Sequence, residues 1–256
     1  MFASAERIEL AALWDELVAG TCKVESWSHA RDSWSIVVAR EPASGGHPPA
    51  PSLRPRDVEI LEHALLCGVR KLVAVEVGLS CSSIAVILQG CFQYMGLSCL
   101  PSRIPGLLVV AAHARHHQAA KFQSSLSGGS GERFSYQTIS VPRPDTALAA
   151  WLAPAEHTVI SLLIEGMTYA EIAHARRTSI RTVANQVASG FRRLGVSGRA
   201  ELLCLLARWA FKPPEPPARR PPSVVPMTAR KAISRGLRLL KEAGTTAQCL
   251  SPSPAT

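Results

Sequence analysis

Apolar residues recur at the three- and four-residue spacing of amphipathic helices throughout residues 151–211. The first helix is predicted over roughly 155–165, after Pro154 at a first helical position, where a missing amide proton costs nothing. Gly166 supplies a left-handed stop. The apolar face of this helix comprises Val159, Ile160, Leu163 and Ile164.

Three further helices are predicted in the same segment. Thr168 stands three residues before Glu171, the spacing of a capping box, and so begins a short second helix. Ser179 can cap a third helix that Gly195 ends, and Ser197 or Gly198 can cap a fourth. The apolar residues of the third and fourth helices are Val183, Val187, Phe191, Leu194, Leu202, Leu203, Leu205 and Leu206.

Together these signals resemble the LuxR (GerE-like) DNA-binding domain of bacterial transcription regulators. The resemblance covers about a quarter of the chain, and its many fixed spacings make it more specific than a single short motif. It implies a third helix that enters the major groove and a fourth helix, 199–211, available for dimerisation. The matching residues are Leu152-x-Pro154-x-Glu156, Gly166-x4-Glu171-Ile172-Ala173, Ser179-x2-Thr182-Val183 and Leu194-Gly195-Val196-Ser197-x-Arg199-Ala200-Glu201-Leu202.

The third predicted helix, 179–194, and its approach are strongly basic. Five arginines and no acidic residue lie between positions 176 and 193. Such a surface gains affinity by releasing counterions from phosphate, and this affinity falls with salt. The arginines are Arg176, Arg177, Arg181, Arg192 and Arg193.

Polar side chains near the start of that helix suit contact with base edges. Asn185 and Gln186 can pair with adenine, and Thr182 or Val183 can touch a thymine methyl group. Arg181, Arg192 and Arg193 are predicted to hold the DNA backbone. The predicted DNA-binding residues are Ser179, Arg181, Thr182, Val183, Asn185, Gln186, Arg192 and Arg193.

A second block, 53–97, matches 152–196 at a constant separation of 99 residues. Seven of the 45 paired positions are identical, and the landmarks coincide, which indicates an internal repeat. Residues 103–112 would then correspond to the fourth helix of the second block. The landmark pairs are Leu53 with Leu152, Pro55 with Pro154, Ala74 with Ala173, Ser80 with Ser179, Ile84 with Val183, Leu88 with Val187, Phe92 with Phe191 and Gly96 with Gly195.

The first copy lacks the DNA-binding chemistry of the second. From Val77 to Leu97 there is no charged residue, and apolar or neutral side chains replace the predicted contacts. We expect a degenerate domain kept for packing, dimerisation or sensing. The alternative is a buried helical hairpin with no ancestral relation to the second block. The replacements are Val86 for Asn185, Ile87 for Gln186, Gln93 for Arg192 and Tyr94 for Arg193.

The remaining segments favour short strands and linkers. A helix is predicted over Ala5–Val18, followed by strands at Cys22–Trp27 and Ser33–Ala39 and a further strand at Arg133–Val141. Gly45–Pro51 is typical of a linker, and Ser124–Gly131 of a flexible segment. The predicted organisation is 1–50, helix and hairpin; 51–117, degenerate helical domain; 118–150, linker with a short strand; 151–211, helix-turn-helix domain; 212–256, tail.

Beyond Pro213 the chain is proline-rich and basic. Residues 212–256 carry about +6 of the net charge of +9, while residues 1–50 sum to about −3. The composition favours a disordered tail, although Thr228–Ala243 could form a basic amphipathic helix that adds phosphate contacts.

The composition agrees with a cytoplasmic protein. Of the 256 residues 47% are apolar, which suffices for real cores, and no apolar run approaches the roughly 20 residues of a membrane span. The N-terminus lacks a signal-peptide pattern. The seven cysteines show neither a CxxC pair nor an even framework, and we expect reduced thiols.

Nothing in the sequence indicates an enzyme. No phosphate-cradling loop, HExxH or nucleophile elbow is present, and no catalytic residue, cofactor or metal site is predicted. His113, His116 and His117 could share a metal, but a surface cluster at a helix end explains them better.

The sequence therefore predicts a mainly α protein with short β-hairpins that binds duplex DNA as a homodimer, through helix 199–211 or the first repeat, and regulates transcription. The alternative is a protein-interaction or dimerisation scaffold built on helix-turn-helix domains that no longer bind DNA, for which the neutral Ala184 and Gly190 leave room.

Overall fold

A computed structural model describes residues 9–30, 32–40, 53–98, 103–117, 125–130, 134–212 and 214–215. These residues form a mainly helical structure with one small antiparallel sheet. The predictions for the tail, for the linker at Gly45–Pro51 and for the start of the Ala5–Val18 helix fall on residues outside this set.

Two β-hairpins make up the sheet. Helix α1 (Leu10–Ala19) precedes β1 (Cys22–His29) and β2 (Ser33–Arg40). The second hairpin consists of β3 (Ser125–Ser130) and β4 (Ser135–Pro142), and the strand order is β1-β2-β4-β3. All neighbouring strands are antiparallel.

The two inner strands meet symmetrically at the centre of the sheet. Ile36 of β2 lies directly opposite Ile139 of β4, and both are fully buried. Next to them Ser35 Oγ lies 2.7 Å from Ser140 Oγ. Because equivalent strands pair in opposite directions about this point, the two hairpins are related by a local two-fold rotation.

The α-helices after α1 form two blocks of four. The first block contains α2 (Pro55–Cys67), α3 (Arg70–Glu76), α4 (Cys81–Tyr94) and α5 (Gly106–His116). A 3₁₀ helix (Pro144–Ala150) then leads into the second block. That block contains α6 (Pro154–Ile164), α7 (Tyr169–Arg176), α8 (Ile180–Leu194) and α9 (Arg199–Phe211).

Three helices of the first block begin 99 residues before their counterparts, as the repeat predicts. The starting residues are Pro55 and Pro154, Arg70 and Tyr169, and Cys81 and Ile180. The caps before the last pair are the same, since Ser80 and Ser179 each accept a hydrogen bond at 3.0 Å from the third amide of the helix that follows. Each block is therefore one copy of the same four-helix arrangement.

The blocks pack against each other through their fourth helices. Helix α9 lies against α5 and α2, and Cys204 Sγ donates to the Leu65 carbonyl oxygen at 2.9 Å. The Arg199 guanidinium donates to the carbonyl oxygens of Leu163 and Ile104, which ties the end of α6 to the segment before α5. The apolar face of the helix expected to dimerise is thus covered within the chain by α5 and α2.

One predicted loop is a strand. The segment Ser124–Gly131 was expected to be flexible because of its glycines, but the backbone of Ser125–Ser130 pairs with β4. Ladder hydrogen bonds come from the backbone, so a neighbouring strand can order even a segment with weak strand propensity.

Within the described residues no single helix is long and apolar enough to cross a membrane. Helices α3 and α4 meet that criterion only when taken together, and the chain bends by 105° between them. Cysteines 22, 67, 81, 91 and 204 are free thiols.

Candidate nucleic-acid interface

Helices α7 and α8 form a helix-turn-helix whose ends are capped as predicted. Thr168 accepts a hydrogen bond from the Glu171 amide, and the Glu171 carboxylate accepts one from the Thr168 amide at 2.6 Å. These hydrogen bonds, together with Arg103, lower the pKa of Glu171. Ser179 caps α8, and Gly195 ends it in the left-handed region. These caps therefore fix the residues at which α8 begins and ends.

The turn between the helices contains an unusual arginine. Arg177 ends α7 with φ 52° and ψ 45°, and it is the one non-glycine residue with positive φ among the described residues. This left-handed conformation costs a side chain roughly 1–2 kcal/mol. At the matching position of the first block stands Gly78, with φ 66°. Arg177 thus occupies a site that suits glycine.

A stripe of cationic side chains follows from the turn along α8. Arg177, Arg181 and Arg192 are exposed, and none has an ion-pair partner among the described residues. Positions 181 and 192 lie eleven residues apart, so they share one face of the helix. The stripe leaves three positive charges facing outward.

Two neutral polar side chains lie within that stripe. Thr182 and Asn185 are both exposed, and Thr182 Oγ1 lies 2.9 Å from Ser179 Oγ. Both can offer hydrogen-bond groups outward, as the sequence predicts for residues that contact bases.

Val183 is not part of this surface. Its side chain is 0% exposed and belongs to the core. The prediction that Val183 touches a base is therefore wrong, because α8 turns this position toward the other helices of its block. Of the two residues predicted to touch a thymine methyl group, Thr182 is exposed.

Gln186 has a partner inside the protein. Its Oε1 accepts a hydrogen bond from Arg176 Nη1 at 2.5 Å, and the side chain is half-buried. This bond links α7 to α8 and occupies one of the two lone pairs of the oxygen that a bidentate contact with adenine would use. Gln186 therefore positions the two helices against each other in this structure.

Arg193 lies beside a buried carboxylate. Glu156 accepts hydrogen bonds from Ser189 Oγ at 2.7 Å and from the Ala153 amide at 3.0 Å, and Arg193 Nε lies 3.3 Å from it. Burial raises the pKa of Glu156, but the two hydrogen bonds and the arginine outweigh that effect and bring it below its ordinary value. Arg193 thus connects α8 to α6, although 56% of its side chain stays exposed.

The glycine inside α8 has a packing role. A Cβ atom at Gly190 would lie 3.2 Å from Ile160 Cγ1, so the glycine permits α8 to approach α6 closely. Ala184, the other neutral position, is half-buried at the edge of the stripe. Neither residue removes charge from the exposed face.

The corresponding face of the first block is apolar. On α3 and α4, Leu72, Val75 and Val86 are 54%, 81% and 71% exposed. Ser82 and Ser83 stand where Arg181 and Thr182 stand in the second block. Helix α4 therefore lacks the cations that α8 exposes, as the sequence predicts.

The histidines near the end of α5 lie in different environments. His113 is buried, and burial, with His117 and Arg208 nearby, lowers its pKa to about 4. No group of three or more His, Cys, Asp or Glu side chains that could hold a metal occurs in the described part of the chain.

The sequence did not predict the structural roles of Glu156 and Arg177. Glu156 was part of a motif without a role, and its place three residues after Ala153 was the available signal for an N-terminal cap. The sequence predicted only a positive charge for Arg177, although the repeat aligns this residue with a glycine.

Comparison of the chain with protein-family models, curated proteins and solved structures finds no match.

Proposed function

We propose that this chain binds duplex DNA through α8 and the turn before it, and that it regulates transcription in the manner of the LuxR-type domains that residues 151–211 resemble. One observation supports this most directly. Arg181 and Arg192 share one face of α8 with the polar Asn185, and Arg177 lies in the turn before the helix. All three arginines are exposed and have no ion-pair partner in the described residues, and the polar Thr182 of α8 is exposed as well. Cations for phosphate beside hydrogen-bonding groups for bases are the chemistry that a recognition helix needs.

In this proposal the arginines hold the backbone while Thr182 and Asn185 read bases. Ser179 caps the helix, and its exposed amide end lies toward a phosphate. Arg193 pairs with Glu156, and Gln186 accepts a hydrogen bond from Arg176. These contacts hold α8 against α6 and α7.

The test is fluorescence anisotropy of the full chain on random-sequence duplex DNA across a salt series. We expect Arg181→Ala/Arg192→Ala to weaken binding about tenfold or more near 0.1 M salt and to lower the slope of log affinity against log salt by about 2. The matched control is Arg70→Ala/Lys71→Ala, which removes two exposed charges from α3 of the other block. Equal losses in both variants would contradict the assignment to α8.

A second candidate function rests on the apolar face of α3 and α4. Exposed clusters of large apolar residues mark protein interaction sites, and Val75 and Val86 are the most exposed of this face. A chain that fails to bind DNA even at low salt, yet associates with another protein until Val75→Asp is introduced, would favour the scaffold.

A further inference from the structure

The internal pairing of the two blocks leads to an inference about the DNA site itself, which rests on the proposed function. In helix-turn-helix dimers, two identical reading helices related by a two-fold axis require a palindromic site. Here one chain supplies both halves of such a pair, because α5 and α9 occupy equivalent places and pack on each other.

The contacts between the blocks are reciprocal. At the end of α2, a Cβ atom at Gly68 would lie 2.6 Å from the Glu201 Cα atom at the start of α9. At the end of α6, the Arg199 guanidinium donates both to the Ile164 carbonyl oxygen and to the carbonyl oxygen of Ile104, which precedes α5. Each fourth helix therefore begins beside the end of the other block's first helix, as a two-fold relation demands.

The packing of α5 on α9 also buries the surface that a second copy of the chain would need. Leu202, Leu203 and Leu206 of α9 are at most 1% exposed. A second chain cannot pack on this face without displacing α5, so the symmetric partner of α8 is α4 of the same chain.

That partner carries none of the reading chemistry. At positions matched by the repeat, Val86 replaces Asn185, Gln93 replaces Arg192 and Gly78 replaces Arg177. A helix without cations and with an exposed valine gains neither phosphate attraction nor base hydrogen bonds.

We infer that a single chain recognises one short, asymmetric segment of duplex DNA, with one reading helix per complex. Because α4 occupies the position of the second reading helix, the second half of a palindromic site would receive no base contacts. The sequence preference of the complex therefore has no inverted repeat.

The first experiment selects bound duplexes from a random library with the full chain and then measures the mass of the complex by sedimentation velocity. We expect one chain per duplex and an enriched motif without inverted symmetry. A palindromic motif bound by two chains would overturn the inference while leaving the proposed function intact. If no duplex is retained even at low salt, both fail together.

Matched variants test which helix faces the selected DNA. Asn185→Asp and Val86→Asp each place a carboxylate at an exposed, equivalent position of α8 and α4. We expect Asn185→Asp to weaken binding at least thirtyfold, roughly the cost of one lost base contact with added repulsion, and Val86→Asp several times less, because α4 has repulsion to gain but no base contact to lose. Comparable losses would show that both helices contribute base contacts, and would overturn the inference.

Discussion

Arg177 shows at the scale of a single residue how the two copies have diverged. The repeat places it opposite Gly78, and both residues adopt the left-handed conformation that ends the second helix of each block. The conformation is easy for glycine and unfavourable for arginine. The second block thus holds a cation in the turn at a cost to stability, as expected where the charge serves binding.

The variant Arg177→Gly separates these two effects. We expect unfolding free energy to stay the same or rise by up to about 1 kcal/mol, since glycine relieves the left-handed conformation. DNA affinity should fall, with the salt slope reduced by about 0.9, because one phosphate contact is lost. Urea unfolding and anisotropy measure the two quantities. A stability loss together with unchanged affinity would show that Arg177 serves the fold instead.

At the scale of elements, α4 and α8 differ in how closely they approach their neighbours. Each contains a glycine in its interior, where glycine costs about 1 kcal/mol relative to alanine. Around Gly90 in α4 a Cβ atom would meet nothing within 4 Å, whereas at Gly190 in α8 it would press on Ile160 at 3.2 Å. The same residue type therefore has a packing reason in one helix only.

We predict opposite responses to larger residues at these glycines. Gly90→Ala should stabilise the protein by about 0.5–1 kcal/mol through helix propensity alone. Gly190→Val should destabilise it by about 1–3 kcal/mol, because added methyl groups overpack the contact between α8 and α6. Thermal and urea unfolding of both variants measure this. A stable Gly190→Val protein would mean that α8 does not pack closely on α6.

At the scale of the whole molecule, the two blocks share one continuous core. Helix α9 packs on α2 and α5, and Arg199 bonds to backbone oxygens on both sides of the boundary. We expect the blocks to unfold together in a single transition, because neither fourth helix can bury its apolar face alone.

Two left-handed glycines of the first block provide a test of that shared core. Gly68→Ala places a methyl group against the backbone of α9, whereas Gly78→Ala meets nothing within 4 Å. Both variants bear the left-handed cost of roughly 1–2 kcal/mol, but Gly68→Ala should lose clearly more unfolding free energy. Chemical denaturation of both proteins measures the difference. Equal losses would indicate that the blocks do not pack as described.

Local signals determined the helices and their ends. The capping box of Thr168 and Glu171, the Ser179 cap and the Gly195 stop each involve residues within a few positions, so the sequence alone was enough to place them. The same holds for the basic character of α8 and for the constant separation of the repeat. These features depend on spacing along the chain and need no partner.

What a side chain meets across the fold was decided only by the tertiary structure. Successive residues of a helix differ by about 100° in direction, so Val183 and Thr182 are adjacent in sequence while one is buried and the other exposed. Packing against other helices also gave Gln186 an internal partner and closed the face of α9 with α5. The sequence by itself thus determined which helices form and what charge α8 carries. The pairing of the two blocks within one chain depends on contacts between residues 95 to 139 positions apart, which no local pattern records.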